Sequence, residues 1–166
     1  AVLVLPGGGY EFTSDREAEA VALKFLSEGV AAFVLRYHVA PARFPVALCE
    51  ALEAVAYIRE NSEEYHIDST NISVCGFSAG GHLAASVGVH WNKEKILSLI
   101  GKDKAAVRPD NLILGYPVIT GTECTHKGSM AALLGDKRTD EKLQLFNCLE
   151  KQVKADTPRT FIWHTW

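Results

Sequence analysis

The sequence predicts an α/β protein: a central, mostly parallel sheet with helices on both faces. Three observations point there. Five short apolar runs rich in β-branched residues recur along the 166 residues. Stretches with apolar residues at helical spacing separate them. Most of the runs stop at Gly or Pro, which places tight loops at the ends of buried strands. Strands alternating with helices close into a parallel sheet through right-handed crossovers.

The first run, "VLVL" at residues 2–5, is ended by Pro6 and three glycines. Ser14-x-x-Glu17 has the spacing of a capping box and predicts a helix start. Ala18, Val21, Ala22, Phe25 and Leu26 continue it at helical spacing, and Gly29 closes it. Residues 30–35 read as the second strand. Pro45 stands where a helix begins, and Leu48, Ala51, Leu52, Val55 and Ile58 mark one face of that helix. Residues 71–75 read as the third strand, and the small, apolar stretch 79–90 as a buried helix. Residues 91–110 are charged and include Pro109, which predicts a surface excursion. Residues 111–116 form the fourth strand and 160–165 the fifth. Between them, residues 121–158 carry short helical patterns (130–134 and about 139–153), expected to form part of a cap over the strand ends.

Length and composition fit a single domain over residues 1–166, with no repeat or interdomain linker. A net charge of −3 argues against nucleic acid or an anionic membrane as an electrostatic partner. No apolar run has the length of a membrane span. Cys49, Cys75, Cys124 and Cys148 include no C-x-x-C pair, so neither a zinc site nor a redox motif is indicated. Cys75 lies in a strand pattern and Cys49 in a helical one, so four reduced thiols and a cytoplasmic setting are expected.

Chemistry enters at residues 76–80, Gly-Phe-Ser-Ala-Gly, inside "NISVCGFSAGGHLAAS". Gly-x-Ser-x-Gly alone is a weak signal, but here a strand precedes it and a helix follows. That is the context of a nucleophile elbow, in which a sharp turn holds the Ser78 hydroxyl beyond the carboxyl end of the strand. The turn crowds its neighbours, so small residues must flank the serine. N–H groups of the next helix, that of Ala79 first, point at a developing oxyanion. The competing reading is a serine that merely caps the helix. Pro6-Gly7-Gly8-Gly9-Tyr10 also follows a strand, and its glycines let the backbone approach a substrate. No Lys-Ser/Thr pair follows and G-x-G-x-x-G is not matched, so this is no nucleotide loop.

Taken jointly, "VLPGGGY", "VLRYHVAPARFPVAL", "VCGFSAGGHLA", "LILGYPVIT" and "TFIWHT" resemble the α/β-hydrolase superfamily. The closer likeness is to its esterase/lipase branch that includes acetyl xylan esterases and other carbohydrate esterases. The resemblance covers most of the chain. It implies sheet order 4-3-5-6-7 in that fold's numbering, with the elbow strand central. It also implies Ser78 as nucleophile and an oxyanion hole from the N–H groups of Ala79 and of Gly8 or Gly9. Many members carry His where this sequence has Pro6, which leaves the donor glycine open between the two. Tyr10, His38 and Phe77 are expected to line the substrate pocket.

The resemblance further implies hydrolysis of a small ester, such as an acetylated sugar, through an acyl-enzyme and without metal or organic cofactor. Amide hydrolysis and an inactive, binding-only hydrolase fold stay open as alternatives. In this fold the triad acid follows the seventh strand, and histidine comes later still. The acid is therefore expected at or beyond Trp166 and the histidine further on, in a longer protein of which this chain is a piece cut at both ends. All six histidines, His38, His66, His82, His90, His126 and His164, read first as packed or surface residues. His38 and His126 are the better pocket candidates, and neither Asp110 nor Asp136 has a positional claim to the acid role. A terminal strand left at a sheet edge is expected to invite self-association.

Overall fold

The computed structural model describes residues 1–165; Trp166 lies outside the described residues. Five parallel strands form one sheet: β1 (Val2–Leu5), β2 (Ala32–Val34), β3 (Ser73–Phe77), β4 (Asn111–Gly115) and β5 (Arg159–Trp163). Their order is β2-β1-β3-β4-β5. This is the expected order, with the Ser78 strand central. In register, Val4 lies beside Cys75, Cys75 beside Ile113 and Ile113 beside Phe161.

Period-two alternation divides the sheet between two layers. Val2, Val4 and Cys75 pack on helix α1 (Glu19–Ser27) through Val21, Ala22 and Phe25. Leu3, Leu5, Val74, Leu112 and Leu114 face the other way. There they join the larger core, built with α2 (Val46–Glu60) and α3 (Ala79–His90). Every residue of α3 is buried, as its small, apolar sequence predicts.

Local departures from the sequence reading have physical causes. Ser14 forms no capping bond, and residues Asp15–Glu17 make one 3-10 turn before α1 begins. The Glu17 carboxylate is committed elsewhere, to the Gly7 N–H and the Tyr116 hydroxyl. Strand β2 starts later than expected because Val30 N–H bonds back to the Phe25 carbonyl and closes α1. Strand β3 runs on to Phe77, with Gly76 beside Leu5 and Phe77 beside Gly115. Pro45 sits one position before α2.

Residues 91–110 are not merely an excursion. They hold α4 (Glu94–Ile100) and α5 (Lys104–Val107), with Ile96 and Val107 buried beneath the charged positions. Arg59 of α2 ties this region down. Its guanidinium donates to the Ser69 and Ala106 carbonyls at 2.9 and 2.6 Å and to Asp110 Oδ2 at 2.8 Å. Asp110 also accepts Ile72 N–H at 2.8 Å, so its role is structural.

In residues 121–158, α6 (Lys127–Leu134) buries Met130, Ala132, Leu133 and Leu134. A 3-10 turn (Gly135–Thr139) leads to α7 (Glu141–Phe146), capped by the Asp140 carboxylate. The helical pattern of 139–153 is broken at Asn147, and Leu149–Lys151 is a further 3-10 turn. Among the described residues, strand β5 pairs with β4 alone, and Phe161, Ile162 and Trp163 are 65, 57 and 51% exposed.

Candidate active site

Ser78 occupies the turn between β3 and α3 with φ 52° and ψ −117°, a conformation that side-chain-bearing residues rarely adopt. Three backbone hydrogen bonds hold it there. Its N–H donates to the Gly115 carbonyl at 3.1 Å. Its carbonyl accepts His82 N–H at 3.1 Å and Val118 N–H at 3.0 Å. The flanking glycines are sterically required. A Cβ on Gly76 would stand 2.1 Å from the Gly80 carbonyl oxygen, and one on Gly80 would stand 2.1 and 2.4 Å from those of Leu5 and Pro6. Ser78 is at the N-cap position of α3, yet its hydroxyl makes no capping bond. The helix-cap reading is thereby removed, and Oγ is left without a partner among the described residues. Ala79 is fully buried, and its N–H, in the first turn of α3, also has no partner there.

The glycine loop lies against this turn. A Cβ on Gly7 would be 3.1 Å from Ser78 Cβ and 2.8 Å from the Phe77 carbonyl oxygen. Gly7 N–H is taken by Glu17 Oε2 at 2.8 Å, which withdraws it as an oxyanion donor. Gly8 and Gly9 adopt φ 129° and 68°, open to glycine and unfavourable for other residues. Their N–H groups have no partner among the described residues. The Tyr37 hydroxyl anchors the loop's start by donating to the Pro6 carbonyl at 2.6 Å.

The three residues expected to line the pocket are placed otherwise. Tyr10 is only 2% exposed, and its hydroxyl is 2.9 Å from His82 Nδ1. It underpins the loop, and burial raises its pKa well above the ordinary tyrosine value. Phe77 packs toward the α1 layer and against the Tyr116 ring at 5.8 Å. His38 is exposed and pairs with Glu50 in a hollow between β2 and α2, away from Ser78.

The cavity that does contain Ser78 has a volume of about 590 Å³. Tyr116, Ile119, Thr120, Glu123, His126 and Glu150 are among its walls, and His164 lies at it too. Sequence reasoning missed Tyr116 and residues 118–120. The available signal was their position just past the carboxyl end of β4, where open α/β sheets bind ligands. His126 is where the sequence suggested. Its Nδ1 accepts Ser129 N–H at 3.2 Å and lies 2.8 Å from Ser129 Oγ, so it caps α6. No histidine or carboxylate among the described residues hydrogen-bonds to Ser78 Oγ. Asp136 is exposed on a 3-10 turn.

Two histidines of α3 hold the following segment in place. His82 Nε2 donates to the Asn147 carbonyl at 3.2 Å, so its Nδ1 accepts from Tyr10. His90 Nε2 donates to the Phe146 carbonyl at 3.1 Å, and its ring stacks on Phe146 at 3.9 Å. Burial holds both pKa values down at about 4, aided at His90 by Lys93, His82 and Lys154. An unfolded chain protonates histidine near pH 6.5, whereas the native state resists until about 4. Stability is therefore full above pH 6.5 and falls as pH drops toward 4, by about 3 kcal/mol per histidine. Urea midpoints at pH 7.5 and 4.5 test this. His90→Gln, which keeps the bond to Phe146, should show a visibly smaller drop, and an equal drop would refute the assignment.

The geometry has counterparts among known proteins, and a family model matches residues 1–165. The chain belongs to the BD-FAE family. This BD-FAE chain is 42% identical over 168 residues to endo-1,4-beta-xylanase B of Butyrivibrio fibrisolvens, covering 99% of the chain and 26% of that protein. It is 29% identical over 137 residues to an acetylxylan esterase of Xylanibacter ruminicola, covering 81% of the chain and 26% of that protein. Among solved structures, the acetyl ester-xyloside bifunctional hydrolase of Caldicellulosiruptor lactoaceticus superimposes with a TM-score of 0.86 at 39% identity. That match covers 98% of the chain and 60% of the other. The BD-FAE chain thus spans about a quarter of these curated relatives. Its fold is that of the α/β hydrolases, as the motifs implied.

Proposed function

We propose that Ser78 is the nucleophile of a carboxylic ester hydrolase that removes acetyl groups from a sugar or similar small ester. The observation that carries this is the strained Ser78 turn, whose hydroxyl is free of the helix it precedes, with the glycine loop packed against it at Gly7 and the N–H groups of Ala79, Gly8 and Gly9 without partners among the described residues. Ser78 Oγ bonds to the ester carbon, and the carbonyl electron pair moves onto oxygen, where Ala79 and a loop glycine donate to it. Collapse of this intermediate breaks the bond to the alcohol, which leaves with a proton. Water then attacks the acyl-enzyme and frees Ser78. A base must take the Ser78 proton. Its histidine and carboxylate are proposed to belong to the longer protein, outside these residues.

Acetylated sugars are favoured by the names of the relatives and by the cavity wall. Thr120, Thr125, Glu123 and Glu150 can meet hydroxyl groups, and no Lys or Arg among the described residues lines it to attract an anion. The test uses the full-length protein. Intact mass before and after a fluorophosphonate should show one adduct, and acetylated xylose should be cleaved faster than the amide of the same acid. Absence of the adduct would refute the nucleophile, and preference for the amide would refute the ester assignment.

A further inference from the structure

We propose that Glu17 is a positioning residue that clamps the glycine loop and thereby fixes Gly8 N–H as the loop's oxyanion donor; this rests on the reading of Ser78 as nucleophile. Both carboxylate oxygens of Glu17 are engaged. Oε2 accepts Gly7 N–H at 2.8 Å, and Oε1 accepts the Tyr116 hydroxyl at 2.7 Å. One side chain thus bridges the loop after β1 and the loop after β4, the two segments that flank the Ser78 turn. Tyr116 is itself fixed, with φ 36° and its N–H 2.6 Å from the Trp163 carbonyl.

The turn that carries Glu17 also holds the other side of Gly7. Ser14 N–H donates to the Gly7 carbonyl at 2.9 Å. Gly7 is therefore gripped at its N–H by Glu17 and at its C=O by Ser14. In a trans peptide the N–H of the next residue leaves the opposite edge of the same plane. Fixing the Gly7 carbonyl on Ser14 fixes Gly8 N–H on the side away from Ser14. Gly9 N–H lies in a different peptide, whose Gly8 carbonyl is held by Glu11 and Phe12 N–H at 3.0 and 3.2 Å, so the Glu17 turn acts on Gly8 N–H and not on Gly9.

The neighbouring charges support this division of labour. Arg36 pairs with Asp15 and Glu19, on either side of Glu17, and no described cation pairs with Glu17 itself. The carboxylate is spent on two neutral donors beside the reacting centre. An ordinary capping role would have used the Ser14-x-x-Glu17 spacing, and the structure does not.

Two variants of the full-length protein test the clamp from its two sides. Glu17→Gln keeps the size but replaces one acceptor oxygen by a donor. Ser14→Pro deletes the N–H that holds the Gly7 carbonyl, the Ser14 hydroxyl makes no capping bond to lose, and the Ser14 φ of −72° suits proline. Each should lower kcat by about tenfold to a hundredfold with KM little changed, as expected for loss of oxyanion alignment. Amide hydrogen exchange at Gly7 should accelerate in Glu17→Gln. Unchanged kcat in both variants would overturn the proposal, as would unchanged exchange at Gly7. If one variant does not fold, the other decides. If the wild type shows neither adduct nor turnover, the nucleophile reading fails, and the clamp then stands or falls on Gly7 exchange alone.

Discussion

Ser78→Ala is expected to lower kcat/KM for ester hydrolysis by about 10⁴-fold or more and to abolish fluorophosphonate labelling. The fold should be nearly unaffected. What holds the turn is the Ser78 backbone, through Gly115, His82 and Val118, and alanine keeps all three bonds. The hydroxyl has no partner among the described residues, so its removal leaves no buried group unpaired. Alanine also meets the same positive-φ strain as serine. Activity assays run beside thermal melts separate the two effects. Wild-type turnover in Ser78→Ala would dismiss Ser78, whereas a large drop in Tm would mean that the hydroxyl stabilises the turn.

The second large effect is on folding. Gly80→Ala places a methyl group 2.1 Å from the Leu5 carbonyl oxygen and 2.4 Å from that of Pro6, both backbone atoms of β1 and its loop. Neither can yield without pulling α3 off the strand beside it. Gly76→Ala collides at 2.1 Å with the Gly80 carbonyl. Each substitution should destabilise by roughly 4 kcal/mol or more, a large part of the about 5–15 kcal/mol that holds a domain folded. Gly29→Ala is the control, because nothing stands within 4 Å of its Cβ position. It meets only the strain of φ 78°, worth about 1 kcal/mol. Soluble yield and urea midpoints should place Gly80→Ala and Gly76→Ala well below Gly29→Ala. A Gly80→Ala protein with a wild-type midpoint would contradict the steric account.

The strands and the position of Ser78 were legible because they rest on signals that are local and redundant, while the strand order followed from the family resemblance. Apolar runs mark the strands, glycines mark the turn, and chain order sets the crossovers. The pocket was less legible because it depends on which way side chains leave the backbone. Tyr10, next to the glycine loop, turns inward to His82. Phe77, next to Ser78, takes the opposite face of the sheet by strand alternation. His38 follows a strand end but finds Glu50 first. Ser14 and Glu17 show the limit most clearly. Their spacing is that of a capping box, yet a long-range bond to Gly7 outcompetes the local one. No reading of residues 14–17 alone contains that partner.

The Ser78 cavity joins two kinds of wall, and this bears on how its specificity can diverge. On one side stands Ser78 itself, at a turn whose flanking glycines, Gly76 and Gly80, admit no side chain. On the other stands the stretch around Glu123 and Cys124, whose side chains are exposed and have no hydrogen-bond partner among the described residues. Substitutions there alter what the cavity accepts without touching the turn that presents Ser78. Evolution within this family, or a library in the laboratory, can therefore reshape the cavity at Glu123 and Cys124 while the Ser78 turn is inherited unchanged.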